Sequence, residues 1–224
     1  MKIIKQSAVL EFITPNSLQF IEKCGRVCYK SENLITSESS KDFIKMLLNP
    51  DKKHESVLEH ASATFRFITD RGVTHEIVRH RLVAYSQEST RYCNYSKDKY
   101  GNEITVILPV RFYDVIDLEN SKTYSGSAKS PIDSRAFNWL QGIKYAEEKY
   151  LNALNCGDKP QEARDLLPNS LKTELIMTCN FREWRHFLKL RTSSAAHPQM
   201  RELANQVLVI MRQEVPIIFD ELLR

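Results

Sequence analysis

Ten residues of chemically useful type fall within sixteen positions of this chain: Glu76, Arg79, His80, Arg81, Ser86, Gln87, Glu88, Ser89, Thr90 and Arg91. A phosphate dianion is held well by guanidinium forks together with hydroxyl and backbone N–H donors, and Ser86, Ser89, Thr90 and Arg91 supply those donors close together. Residues 74–84 contain neither Gly nor Pro, and Ile77, Val78 and Leu82 form a narrow apolar stripe, so the spacing predicts a helix running into a turn. On such a helix His75 and Arg79 share a face, while Arg81 points roughly 200° away from Arg79. The cluster therefore reads as a site for a phosphorylated ligand. A basic helix face with surface Arg–Glu pairs accounts for the same residues. A third reading, from a different class, is a nucleic-acid-binding protein that sets this cluster and Arg182, Arg185 and Arg191 against a phosphate backbone.

Other candidates have structural explanations of their own. His54 and His60, flanking Glu55 and Glu59, approach the spacing of two imidazoles on neighbouring turns, but the segment precedes a strand and offers no third ligand. No metal site is expected. Asn180 followed by Glu183 is the pattern of an N-cap with its capping box. His197 before Pro198 marks a helix start. Cys24 and Cys28, four apart on a predicted helix, read as small core residues, and Trp139 and Trp184 as core aromatics.

These groups must be carried by a scaffold whose elements show in the apolar periodicity. Residues 3–13 read as a strand, followed by a turn at Pro15-Asn16-Ser17 and a helix to about residue 29. A short helix is expected over 37–48. Ala63, Phe65 and Phe67 alternate with polar neighbours over 61–69, the period of a half-buried strand, and a helix should begin after Asp70. Strands are expected at 102–108 and 171–178, and helices at 136–154, 160–167, 181–190 and 199–211. The polar stretch 118–133, with Ser125-Gly126-Ser127 and Pro131, reads as a flexible loop within one domain. Segregated strands and helices with no GxGxxG turn predict an α+β fold, a central mostly antiparallel sheet flanked by helices, in a single domain over 1–224.

Composition narrows the class. With 224 residues, 42% hydrophobic and 27% charged, the chain can bury a sizeable core, which excludes a disordered or fibrous protein. No apolar run approaches the roughly 18 to 20 residues of a membrane helix, and Met1-Lys2-Ile3-Ile4-Lys5 lacks the apolar core of a secretory signal. Five cysteines (Cys24, Cys28, Cys93, Cys156, Cys179) are an odd number in a chain too long to need staples, so reduced thiols and a cytoplasmic location are expected. The net charge of +4 implies a nucleic-acid partner only where it is concentrated locally.

The run Arg79-His80-Arg81, seven residues, then Ser89-Thr90-Arg91-Tyr92 resembles the signature of the flavin-dependent thymidylate synthases. His54-Glu55-Ser56 with Glu59-His60, Ala163-Arg164 to Leu167-Pro168, Asn180-Phe181-Arg182 and Phe187-Leu188-Lys189-Leu190-Arg191 resemble further blocks of that family in the same order. The resemblance implies a homotetramer with shared active sites that binds FAD and makes dTMP from dUMP. Its carbon donor would be 5,10-methylenetetrahydrofolate and its reductant NADPH, with small-molecule substrates and neither nucleic acid nor membrane as partner. It implies flavin-contacting roles for Ser56, Arg79, His80, Arg81, Gln87, Asn180, Phe181, Arg182 and His186. It assigns Glu76, Arg79, Gln87, Glu88, Ser89, Thr90, Arg91 and Arg164 to dUMP, and Arg191 to activation of the pyrimidine as the catalytic residue.

A guanidinium suits that task, because it stays charged in a dry site and its planar fork can address adjacent ring atoms where charge develops. None of the cysteines stands in the Pro-Cys-His setting of the flavin-free thymidylate synthases. Gln87 stands where some members of the family carry an acid, Glu76 where some carry Gln, His186 where some carry Asn, and Cys28 where some carry Ser.

Overall fold

Alternation of apolar and polar residues becomes strand, and three-to-four spacing becomes helix, over most of the chain. The computed structural model describes residues 1–51, 54–116, 118 and 131–223. Its strands are β1 (Lys2–Ile4), β2 (Ser7–Ile13), β3 (Ser62–Asp70), β4 (Ala84–Gln87), β5 (Thr105–Ile107) and β6 (Lys172–Asn180). Its helices are α1 (Ser17–Val27), α2 (Ser39–Leu47), α3 (Arg71–Ile77), α4 (Pro131–Asn155), α5 (Pro160–Ala163), α6 (Phe181–Arg191), α7 (Pro198–Glu214) and α8 (Pro216–Phe219). The fold is α+β. Four strands form a sheet in the order β2-β3-β6-β4, and β1 pairs with β5 in parallel.

In β3 and β6 every second residue is buried: Ala63, Phe65, Phe67 and Thr69 on one, Thr173, Leu175, Met177 and Cys179 on the other. On the opposite face the Thr64 and Thr178 hydroxyls meet at 2.9 Å, and the Phe181 N–H donates to the Ala61 carbonyl. That reversed register makes the pair antiparallel.

The chain divides into two compact units. The first comprises Met1–Gln6, Ile68–Ile77 and Gln87–Leu175. Its core gathers Tyr95, Ile104, Val106, Ile143, Tyr150 and Leu171, with Trp139 partly buried at the edge. The second comprises Ser7–Phe67, Val78–Ser86 and Ile176–Arg224. There α7 packs on β2 and on α6, and α1 packs on α2.

Helix α6 follows β6 directly because Asn180, in extended conformation, accepts the Glu183 N–H on its side chain at 2.8 Å. Phe181, Trp184, Phe187 and Leu188 then form its buried stripe. His197 occupies the N-cap position of α7, with Pro198 in the first turn.

Gly25 on α1 allows a close approach. A Cβ there would lie 2.6 and 2.7 Å from two ring carbons of Phe43, which is itself buried. Gly25→Ala gains about 1 kcal/mol of helix propensity but overpacks this contact by about 1–3 kcal/mol, so a net loss of stability is expected. Thermal unfolding of the variant checks it: an unchanged or raised midpoint would show that α1 and α2 can move apart freely.

Several expectations are corrected. The segment 3–13 is two strands, interrupted at Lys5-Gln6, where the Thr69 hydroxyl donates to the buried Gln6 side chain at 2.8 Å. The helix expected over 74–84 ends at Ile77, and 84–87 is strand β4 rather than a turn after a helix. His75 and Arg79 therefore do not share a helix face. The strand expected at 102–108 is confined to Thr105–Ile107. Cys24 is half-buried and Cys28 exposed, so neither is a core residue. Of the loop expected at 118–133, residues 119–130 lie outside the described residues, and α4 begins at Pro131. No helix among the described residues is long and apolar enough to cross a membrane.

Candidate active site

In the second unit, α6 supplies a row of side chains at four-residue spacing, Glu183, Phe187 and Arg191, and His80 lies across that row. Its ring sits edge-on to Phe187 at 4.9 Å between centroids. Its Nδ1 is 3.4 Å from Glu183 Oε1, and its Nε2 accepts the Arg191 Nε–H at 3.1 Å. The Tyr85 hydroxyl of β4 donates to the His80 carbonyl at 2.9 Å. His80 is only 6% exposed. Burial, and then the adjacent Arg191 guanidinium, hold its pKa below the ordinary histidine value against the pull of Glu183. Burial likewise pushes the Tyr85 hydroxyl and the Cys179 thiol well above their usual ranges, so neither ionises near neutrality.

Beside this row opens a cavity of about 1340 Å³, lined in part by Asn180, Arg182, Glu183, Arg185, His186 and Lys189. Arg182 is exposed and reaches Glu59 at 2.6 Å, a pair that an incoming anion can exchange at little cost. Arg185 is buried, with Glu55 at 3.3 Å, Glu221 and the Ile218 carbonyl as its partners, while its Nε finds no partner among the described residues. Ser56 is exposed on the same 3₁₀ turn (Glu55–His60) as the lining residues Glu55 and Glu59. Phe181 is fully buried against Phe219, with ring centroids 5.7 Å apart, so its side chain serves the core. Arg79 and Arg81 are exposed on the irregular segment after α3.

His80, Glu183 and His186 present ligand atoms all within 4.8 Å of one another. The fixed charge of Arg191, hydrogen-bonded to His80, opposes a dication there. His54 and His60, both exposed, belong to no such group among the described residues.

The first unit carries the other assigned residues. Ser89 opens a turn in which its carbonyl accepts from the Tyr92 and Cys93 N–H groups, and its hydroxyl oxygen accepts from the Arg91 N–H at 3.2 Å. Thr90 is buried, and Arg91 donates to Gln161 at 3.2 Å. Gln87 directs its amide N–H groups to the Thr74 and Thr173 hydroxyls at 3.0 and 3.3 Å. The Glu88 carboxylate is held by Lys172 at 3.1 Å and by the Tyr95 hydroxyl at 2.9 Å. Burial works against the Lys172 ammonium, yet Glu174 and Glu88 raise its pKa above the ordinary value. Glu76 is half-buried on α3, and Arg164 is exposed on the 3₁₀ turn after α5.

The family described as thymidylate synthase complementing protein matches residues 9–217 of this chain. A protein of Mycobacterium tuberculosis named flavin-dependent thymidylate synthase is 34% identical over 206 residues, spanning 90% of this chain and 78% of that protein. Proteins of the same name from Mycobacterium avium and Mycolicibacterium gilvum are each 32% identical, over 205 and 203 residues. The chain belongs to the flavin-dependent thymidylate synthase family.

Within this family member the assigned residues sort by unit. Ser56, His80, Arg81, Asn180, Phe181, Arg182 and His186 fall in the second unit with Arg79 and Arg191, while Glu76, Gln87, Glu88, Ser89, Thr90, Arg91 and Arg164 fall in the first. Sequence reading assigned no functional role to Glu183, taken only as a capping residue, nor to Lys189 and Glu55 at the cavity, and it placed Arg185 only against a nucleic-acid backbone, whereas here Arg185 lines the cavity. For Glu183 a signal existed: it stands eight residues, two helical turns, before Arg191.

Proposed function

We propose that this chain is an FAD-dependent thymidylate synthase that methylates dUMP reductively to dTMP, with 5,10-methylenetetrahydrofolate as carbon donor and NADPH as reductant, releasing tetrahydrofolate. The observation that carries the reading is the cavity beside the His80–Arg191 pair, whose lining sets Arg182, Arg185 and Lys189 among Glu55, Glu59, Glu183 and Glu221, in a chain matched by the family from residue 9 to 217. Its volume of about 1340 Å³ exceeds the roughly 300–1000 Å³ usual for small ligands and suits a dinucleotide. Arg182, Lys189 and the Asn180 amide are donors of the type a pyrophosphate requires. The residues present therefore fit FAD.

In this reading Ser56, Arg79, His80, Arg81, Gln87, Asn180, Arg182 and His186, with the main chain at Phe181, hold FAD, which when bound supplies the redox and one-carbon chemistry. Glu76, Arg79, Gln87, Ser89, Thr90, Arg91 and Arg164 bind dUMP. The Ser89 turn offers hydroxyl and backbone donors, and Arg91 brings charge, to the phosphate. Glu88, held by Lys172 and Tyr95, orients that turn. Arg191 lies along the pyrimidine edge and stabilises the charge that develops on the ring.

The 224 residues act as one domain of a homotetramer whose protomers share active sites. Apolar side chains left exposed on β2 (Val9, Phe12) and α1 (Phe20, Val27) support an apolar subunit contact. The protein works in the cytoplasm, in keeping with five unpaired cysteines.

The test is the visible spectrum of the purified protein, repeated with NADPH under anaerobic conditions with and without dUMP, followed by assay for dTMP. A flavin spectrum that bleaches, and dTMP that forms only with the folate, are expected. A spectrum that stays blank after incubation with FAD would overturn the reading.

A further inference from the structure

We propose that Glu183 is a positioning residue of the reaction: it holds the Nδ1 proton of His80, so that Nε2 is left as the acceptor that fixes the Arg191 guanidinium. The inference rests on the proposed role of Arg191. An arginine Nε carries a proton at all accessible pH and can only donate. The 3.1 Å contact to His80 Nε2 therefore requires a lone pair on that nitrogen. In a neutral imidazole the proton is then on Nδ1, and the acceptor facing Nδ1 is Glu183 Oε1 at 3.4 Å. His80 and Glu183 expose only 5% and 11% of their side chains, so water competes weakly for either bond.

The three side chains are anchored independently. Glu183 and Arg191 stand two turns apart on α6, whose start is held by the Asn180 cap on the Glu183 N–H. His80 is held from the other side by the Tyr85 hydroxyl on its carbonyl and by the edge of the Phe187 ring.

The chain has a sign with respect to pH. The groups facing His80 are Glu183, His186 and Arg191 on α6 and Tyr85 on β4. Burial, Arg191 and His186 disfavour its protonation, and Glu183 favours it. A proton on Nε2 would set two donors against each other and release Arg191. Activity, and the share of stability this group contributes, are full above the unfolded histidine pKa of about 6.5 and fall as pH drops through the lower folded value.

The experiment compares Glu183→Ala and Glu183→Gln with the unmutated protein. Flavin content, kcat and KM for dUMP are measured, together with the pH profile and the histidine tautomers from nitrogen-15 NMR, with His80→Asn identifying the His80 signals. We expect the Nδ1–H tautomer in the unmutated protein and in Glu183→Gln, whose amide oxygen still accepts, and mixed tautomers in Glu183→Ala. Displacement of the guanidinium should lower kcat of the alanine variant about 100-fold with flavin retained, and glutamine should restore much of it. Glutamine carries no charge, so its acid limb, and the His80 midpoint read by NMR, should move to lower pH.

A proton on Nε2 in the unmutated protein, an unchanged kcat in Glu183→Ala, or a glutamine variant as slow as alanine with an unmoved acid limb would each overturn the proposal. Absence of dTMP formation by the unmutated protein would strike the proposed reaction instead, and the NMR result would then decide the hydrogen-bond chain alone.

Discussion

Arg191→Ala is expected to slow dTMP formation roughly 10²–10³-fold while leaving flavin bound. Arg191 lies in the last turn of α6, half-buried, with its Nε committed to His80 Nε2. A cation at a helix C-terminus is favoured by the helix dipole, so the side chain is held by two independent effects. A guanidinium presents its N–H donors in a planar fork, the geometry suited to an electron-rich ring edge. Removing a donor aimed at developing charge costs about 2.7–4 kcal/mol in the barrier, or a factor of roughly 10²–10³ in kcat. Loss of the terminal charge costs about 0.3–1 kcal/mol and leaving the buried His80 Nε2 without its donor about 1–3 kcal/mol, less than the roughly 5–15 kcal/mol of a typical protein, so the variant should remain folded. Lysine should not restore the rate, because a point charge cannot reproduce the planar fork or the Nε–H bond to His80. Single-turnover dTMP formation, read beside the flavin absorbance, checks this, and an unchanged rate would remove Arg191 from its role.

Trp184→Ala is expected to cost about 3–5 kcal/mol, a large part of the roughly 5–15 kcal/mol that holds a protein of this kind together. Trp184 is fully buried between Phe65 of β3, at 5.0 Å between ring centroids, and Phe187 of its own helix, at 5.5 Å. Its indole N–H donates to the Ala63 carbonyl at 3.0 Å. Truncation leaves a cavity and a carbonyl without its donor. The damage falls where α6 seats on the sheet, so Glu183 and Arg191 lose their register with His80. Trp184→Phe should cost less, since it keeps most of the ring contact and loses chiefly the hydrogen bond. Denaturant midpoints of both variants, with flavin content, test this; an alanine variant of unchanged midpoint would show that α6 is not anchored by this residue.

Local chemistry made much of the fold legible in advance. The alternation in β3 and β6, the helix α6 that follows β6, the Asn180 cap and the Pro198 helix start are decided by neighbours two to four residues apart, and each stands where the sequence predicts it. The motif residues Arg79, His80, Arg81, Ser89, Thr90 and Arg91 likewise carry the family resemblance in the sequence itself.

What the sequence did not contain is the set of partners that lie far along the chain. Nothing local stops a helix at Ile77, since residues 74–84 lack Gly and Pro. The segment leaves the helix because His80 is buried against α6, between residues more than a hundred positions later, and because 84–87 must extend to join the sheet beside β6. The buried site and the sheet outweigh a helix propensity of a few tenths of a kcal/mol per residue. The same distance hid Glu183 behind its capping role and the cavity behind a row of ordinary surface charges. The sequence alone determined which residue types are present and which short elements carry them. Only the tertiary structure decided which imidazole meets which guanidinium, because that choice depends on burial and hydrogen bonding between segments that local propensity cannot relate.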